Sequence, residues 1–312
     1  MKEKCTGPIQ QGWEIANHFI MRLRQTPLLL AWLIIGPCIV LLLDGFSGLI
    51  MGLINILLLG VYAVLIHWMT STPPSKEVIT HPKLECFLAL VLFVFFIVVQ
   101  LFDFGVWQFQ PLYGWIRNLF SQMYTFTASI PGLPEWALMD VYLAASSTLK
   151  KLIPTLIVFV LLGVGPRGMG LRNPHWKLSG ILVGVTALFG LFTGVLFARP
   201  LFMTVILSAI GIFVNALPEE FFFRGFLFPR LEKIFSNPLN ALVVTSILFN
   251  AMHLPIQIMN GTPLLQALLH IFAIGYPSGL IWGYLYMRTR SVLPGTLWHA
   301  ANGNVGFLFI YF

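Results

Sequence analysis

Gly48–Met69 reads GLIMGLINILLLGVYAVLIHWM and carries no Asp, Glu, Lys or Arg. A bilayer hydrocarbon core takes roughly 20 residues of helix to cross. No water is available there to satisfy backbone amides, so an open chain of this kind has to be helical. Comparable apolar runs occur at Pro27–Leu43, Cys86–Phe102, Leu152–Val164, Leu178–Ala198, Pro200–Leu217, Leu239–Pro255, Thr262–Met287 and Val292–Phe312. Leu152–Val164 is short unless its helix begins further back, near Val141. The fold class expected is all-α, a polytopic transmembrane bundle of about eight or nine helices.

Composition points the same way. Of 312 residues, 58% are hydrophobic and only 9% are charged, against roughly 25% charged in soluble domains. The mean hydropathy is +0.86. One water-soluble globule cannot hide that much apolar surface, so the excess faces lipid. The net charge of +7 raises the question of nucleic acid. No dense Lys/Arg run and no basic patch interleaved with aromatics is present, which argues against that partner.

The basic residues instead sit between the apolar runs, where they orient a membrane protein. With the N-terminus cytoplasmic, the inner loops hold Lys2, Lys4, Arg22, Arg24, Lys76, Lys83, Arg167, Arg172, Lys177, Arg224, Arg230, Lys233, Arg288 and Arg290. The outer loops hold Arg117, Lys150, Lys151 and Arg199, so the balance is 14 to 4. This predicts nine helices with Phe312 outside, Glu219 near the cytoplasmic end of the sixth, and a multi-pass integral membrane location (the inner membrane in a bacterium). The first 24 residues show no short apolar core before a small-residue cleavage site, so no cleaved signal peptide is expected. Cys5, Cys38 and Cys86 form no CxxC pair, and no disulfide is expected. Gln108–Pro134, with Trp115, Phe120, Tyr124 and Phe126, reads as an interfacial element at headgroup depth.

Only 11 acidic residues exist, and two stand together where an apolar run ends: Pro218-Glu219-Glu220-Phe221-Phe222-Phe223-Arg224-Gly225. Ionisable groups at membrane depth are costly, and they mark function by default. Glu220 and Arg224 are spaced i,i+4 with the acid N-terminal, the favourable order for a helical ion pair. Glu219 projects about 100° away around the helix and is left for another task. Phe249-Asn250-Ala251-Met252-His253 and Trp298-His299-Ala300-Ala301-Asn302-Gly303-Asn304 add two imidazoles inside apolar runs. A glutamate pair alone can mark a membrane surface, and a lone histidine can be a packing residue. One acid, two histidines and an asparagine on three otherwise uncharged helices favour a shared interior site.

Glu219-Glu220-x-x-x-Arg224, Phe249-x-x-x-His253 and His299 with a following Asn resemble the CPBP intramembrane proteases, which include the type II CAAX prenyl endopeptidases and bacterial proteins labelled Abi. Arg224-Gly225-Phe226-Leu227-Phe228-Pro229-Arg230-Leu231 and Met169-Gly170-Leu171-Arg172 fit the same pattern. The resemblance covers residues 168–312, taken as a protease core; residues 1–167 form an N-terminal transmembrane region without a recognised motif. The family's Asn falls four residues after the second His, and Gly303 occupies that position here. Asn302 lies about 60° from His299 around a helix and Asn304 about 140°, so Asn302 takes the role unless the backbone breaks at Gly303.

The resemblance implies an endopeptidase acting on membrane-associated peptides or proteins. Glu219, assisted by His253, takes a proton from water, and His299 with Asn302 faces the oxyanion. Glu220 and Arg224 support the helix. The same Glu219, His253 and His299 offer a zinc site as the alternative; HExxH is absent, and a site without cofactor is the expectation. Tyr276-Pro277-Ser278-Gly279 lacks the glycine of a rhomboid serine loop and reads as a helix kink. No GxGD is present, and Asp44 and Asp103 read as segment boundaries. His270 is a packing or channel residue. A transporter using Glu219, His253 and His299 as a proton or cation relay is the alternative of another class. It is disfavoured because no pair of related halves with matching broken helices is visible.

Overall fold

The computed structural model describes residues 25–70, 74–77, 79–109, 111–173, 175–192, 201–235, 237–273 and 278–304. Cys5, Lys2, Lys4, Arg22, Arg24, Arg199, Tyr276, Pro277, Phe312 and the side chain of Asn304 therefore lie outside the described residues. No strand occurs among the described residues. The helices are α1 (Pro27–Met69), α2 (Pro82–Asp103), α3 (Leu112–Ala128), α4 (Glu135–Ser147), α5 (Ile153–Leu161), α6 (Trp176–Phe192), α7 (Leu201–Gly211), α8 (Leu217–Glu220), α9 (Phe228–Phe235), α10 (Pro238–Ala251), α11 (Leu254–Met259), α12 (Leu264–Phe272), α13 (Ser278–Thr289) and α14 (Leu293–Asn304). Among the described residues, three π-helical turns, Thr148–Leu152, Ile212–Ala216 and Phe221–Leu227, join neighbouring helices into longer rods.

Among the described residues, five stretches are long and apolar enough to cross a membrane: Pro27–Met69, Pro82–Asp103, Ala137–Leu161, Leu201–Phe235 and Pro238–Met259. The chain is all-helical, as expected, with elements divided differently from the sequence reading. Pro27–Leu43 and Gly48–Met69 are one 43-residue run broken at Gly45, whose φ of 68° and ψ of −161° leave the helical region. Its two ends return to one end of the bundle. The Gln25 carbonyl accepts from Asn237 Nδ2 at 2.5 Å, and the Thr70 carbonyl accepts from Arg288 Nη2 at 2.7 Å.

Two boundaries shift. The rod holding Leu152–Val164 begins at Ala137, so Lys150 and Lys151 sit within it and not in an outer loop. The apolar run Pro200–Leu217 does not stop at Leu217, because the helical backbone continues to Phe235. Glu219 thus stands in the middle of a 35-residue rod, not near its end. The phenylalanines after it explain the continuation. Phe221, Phe222, Phe223, Phe226 and Phe228 are all buried to under 2% exposure, together with Phe159. They meet edge to face, Phe96 with Phe222 and Phe159 with Phe226 at 4.9 Å between centroids, and Phe223 with Phe249 at 5.2 Å. Each such pair contributes about 0.5–1.5 kcal/mol beyond its buried area.

The interfacial segment contains α3, which buries Ile116 and Phe120 and exposes Trp115 and Phe126. Its apolar inner face packs on α2 and α4.

Buried ion pairs tie the connections together at one end of the bundle. Arg290 grips Glu232 through both terminal nitrogens at 2.7 and 2.9 Å and reaches Glu77 at 3.4 Å. Lys76 meets Glu232 at 2.9 Å, Tyr286 donates to Glu77 at 2.9 Å, and Arg230 holds Glu85 at 2.9 Å. A planar guanidinium satisfies two carboxylates at once, which suits arginine to this burial. The Met169–Arg172 motif joins here: Gly170 takes a φ of +77°, and its carbonyl accepts from Val292 N at 3.0 Å. Gly225 lies against it so closely that a Cβ would stand 2.7 Å from the Met169 carbonyl oxygen. The two sequence motifs are thus halves of one contact.

Candidate active site

Each π turn precedes a proline. A proline inside a helix has no N–H to give the carbonyl four residues back, and its ring crowds that carbonyl. Pro154 follows Thr148–Leu152, Pro218 follows Ile212–Ala216 and Pro229 follows Phe221–Leu227. Widening the helix by one residue relieves the crowding, and such π turns recur at functional sites. The carbonyl that Pro229 leaves free, on Gly225, accepts from Arg230 Nη1 at 3.2 Å. The turns before Pro154 and Pro218 carry Lys151 and Asn215 to the same place.

Glu219 is buried, and its Oε1 accepts from Lys151 Nζ at 2.7 Å. Its other oxygen lies 4.0 Å from His299 Nε2, beyond direct hydrogen-bond range. His253 stands at the break between α10 and α11, where Pro255 has no N–H to give the Ala251 carbonyl four residues back. Its Nδ1 is 3.0 Å from the Phe249 carbonyl. A carbonyl only accepts, so Nδ1 carries the proton and Nε2 keeps a lone pair in the neutral ring.

Glu220 pairs with Arg224 at 3.2 Å, both fully buried, as the i,i+4 spacing predicts. Glu220 also meets His299 Nδ1 at 3.3 Å. The His299 ring stacks on Trp282 at 3.9 Å and 19°, so both its orientation and its plane are held. Gly295 makes room for this, since a Cβ there would meet Glu220 Oε2 at 2.8 Å. Arg224 is further held by the Gly279 carbonyl, which accepts from Nη2 at 2.9 Å, and by the face of Phe249, 4.7 Å from the guanidinium carbon. Gly279 belongs to the Pro277-Ser278-Gly279 stretch.

Two cavities flank this centre. One, of about 230 Å³, is lined by Glu219, His253, Lys151, Ser147, Asn215 and Asp103, among others. The second, of about 220 Å³, is lined by His299, Ala300, Gly303, Asp140, Gly211, Val214, Asn215 and Ala216. Val214 and Asn215 form a wall common to both. Glu219 and His253 therefore share one cavity and His299 faces its neighbour, in place of the single cavity the motif pattern suggests. Asn302 is buried on α14 and lines neither cavity. His270 is half-buried on α12 and is likewise absent from both walls.

The sequence reading missed Lys151. It counted the residue as an outer-loop cation, and it left Glu219 without a partner. Asp103, read as a boundary, does end α2, and it pairs with Lys150 at 2.6 Å. The available signal was a Lys-Lys pair three residues ahead of a proline in an otherwise apolar stretch. The first cavity also takes Gln100, Asp103, Ser146, Ser147, Lys150 and Lys151 from the region before residue 168, so both sides of that boundary build its walls. For zinc the donor set fits poorly. Among the described residues no three His, Cys, Asp or Glu side chains are grouped as metal ligands, and the Lys151 ammonium occupies one edge of the Glu219 carboxylate.

A helical membrane bundle with carboxylates and imidazoles brought together at its interior is the class this fold and site define. Residues 201–305 match the family model described as type II CAAX prenyl endopeptidase Rce1-like. The family is one of proteases, and the matched stretch holds Glu219, Glu220, Arg224, His253, His299 and Asn302, which bears out the resemblance drawn from their spacing. No curated protein and no solved structure matches the chain.

Proposed function

We propose that the protein is an intramembrane endopeptidase that hydrolyses peptide bonds of membrane-associated peptides or proteins. The observation that carries this reading is the convergence of Glu219, His253 and His299 from three separate helical rods on two adjoining cavities that share the Val214–Asn215 wall. Glu219 is the general base for water, through the oxygen that Lys151 does not hold. His253 Nε2 shares that proton, since its Nδ1 is committed to the Phe249 carbonyl. His299 faces the developing oxyanion, and Asn302, buried on the same helix and outside both cavity walls, supports it from behind. Because Nδ1 is given to Glu220, the ring donates through Nε2 only when doubly protonated. A prearranged oxyanion donor contributes about 2.7–4 kcal/mol to such a reaction.

Lys151 is a positioning residue. It holds one oxygen of the base and leaves the other for water. The scheme needs no metal, because Lys151 already supplies a positive charge beside Glu219 Oε1. Comparing peptide termini in membranes from cells carrying the native chain with those carrying Glu219→Gln tests the reading. A set of termini that disappears in Glu219→Gln is expected; identical sets would sink it.

A further inference from the structure

From the placement of the cavity relative to the buried ion pairs, we infer that the site takes its substrate from the non-cytoplasmic face, and that the substrate is a membrane-anchored peptide whose scissile segment emerges there. This rests on the peptidase reading above and gives it a side.

Helix α2 measures the separation. Glu85, in its first turn, pairs with Arg230 in the ion-pair cluster, and Asp103, its last residue, pairs with Lys150 in the cavity wall. Eighteen residues of helix span about 27 Å, close to the thickness of a hydrocarbon core. The cavity beside Glu219 runs toward the Asp103 end through Gln100, Phe104, Lys150 and Asn215. On the other side of Glu219, toward the cluster, stands the packed block of Phe159, Phe221, Phe222, Phe223, Phe226 and Phe228. A polypeptide approaching from the cluster end meets aromatic rings with almost no exposed surface.

The charges say which end is which. Among the described residues, Lys76, Lys83, Arg167, Arg172, Lys177, Lys233, Arg288 and Arg290 lie in or beside the connections at the cluster end, against Arg117 alone at the other. Lys150, Lys151, Arg224 and Arg230 do not enter the count, because each is paired inside a rod. The bias keeps the direction read from sequence. The basic end is cytoplasmic by that rule, and the cavity is then open opposite to it. A substrate whose cleaved segment lies in the cytoplasm would face the aromatic block.

Cysteine accessibility in sealed right-side-out vesicles tests this without using activity. In a background with Cys5, Cys38 and Cys86 replaced by serine, Asn215→Cys and Ile256→Cys report the cavity. Arg117→Cys and Arg167→Cys mark the two ends. A membrane-impermeant maleimide is expected to label Asn215→Cys, Ile256→Cys and Arg117→Cys in sealed vesicles, and Arg167→Cys only after permeabilisation. Cavity cysteines that label only together with Arg167→Cys overturn the inference, as does silence of both cavity positions when both end markers react. Mapping the termini lost in Glu219→Gln supplies the second arm. They are expected in segments on the non-cytoplasmic side of a membrane anchor, and cytoplasmic termini overturn the substrate class. If no termini depend on Glu219, the peptidase reading falls, while the labelling still decides the face.

Discussion

Lys151 Nζ lies 2.7 Å from Glu219 Oε1, a buried ion pair between residues 68 positions apart in the chain. Neither residue has meaning alone at that depth. An unpaired ammonium or carboxylate among apolar helices costs far more than the pair does together.

Removing one partner should therefore be severe. Lys151→Met is expected to destabilise the protein by about 3–5 kcal/mol, the scale for an orphaned buried charge. The double variant Lys151→Met/Glu219→Gln should recover most of that loss while remaining inactive. Thermal unfolding in detergent beside a cleavage assay measures both; an additive double variant would reject the pairing. Lys151→Arg should retain part of the activity, since the charge is kept at altered geometry.

The two glutamates divide the work, though not as cleanly as their spacing suggests. Glu219→Gln should abolish cleavage. Because Lys151 loses its partner, some stability goes too. Glu220→Gln strands Arg224, which is fully buried, and should cost about 3–5 kcal/mol while the surviving folded fraction still cleaves at a reduced rate. Equal loss of activity per folded molecule in both variants would contradict this division.

Small residues next to the site are expected to be intolerant for steric reasons. Gly295→Ala places a Cβ 2.8 Å from Glu220 Oε2 and pushes the carboxylate that orients His299. Cleavage should fall by up to about 100-fold, the scale for a displacement near 1 Å, with KM little changed. Gly225→Ala meets the Met169 carbonyl oxygen at 2.7 Å and should cost about 1–3 kcal/mol by overpacking. Gly180→Ala, with nothing within 4 Å, is the control and should leave the melting temperature intact.

Chelation distinguishes the two chemistries open to the same side chains. Incubation with a strong zinc chelator is expected to leave cleavage unchanged. Loss of activity that returns on adding zinc would assign Glu219, His253 and His299 as ligands and displace Lys151 from the mechanism.

Local spacing alone determined a good deal. Apolar runs of helical length dictate an all-helical membrane bundle, because backbone amides in lipid have no other partner. The i,i+4 order of Glu220 and Arg224 dictates their pair, because one helical turn brings them together wherever the helix lies. The scarcity of ionisable groups singled out Glu219, His253 and His299. Relationships between distant residues were decided by packing. Lys151 with Glu219, Glu85 with Arg230 across 145 positions and Glu232 with Arg290 across 58 depend on which rods are neighbours, and no periodicity encodes that. The face on which the cavity lies is of the same kind. Loop charges say which end of the bundle is cytoplasmic, but only the stacking of Phe159 against the Phe221–Phe228 stretch closes one side of Glu219 and leaves the other open.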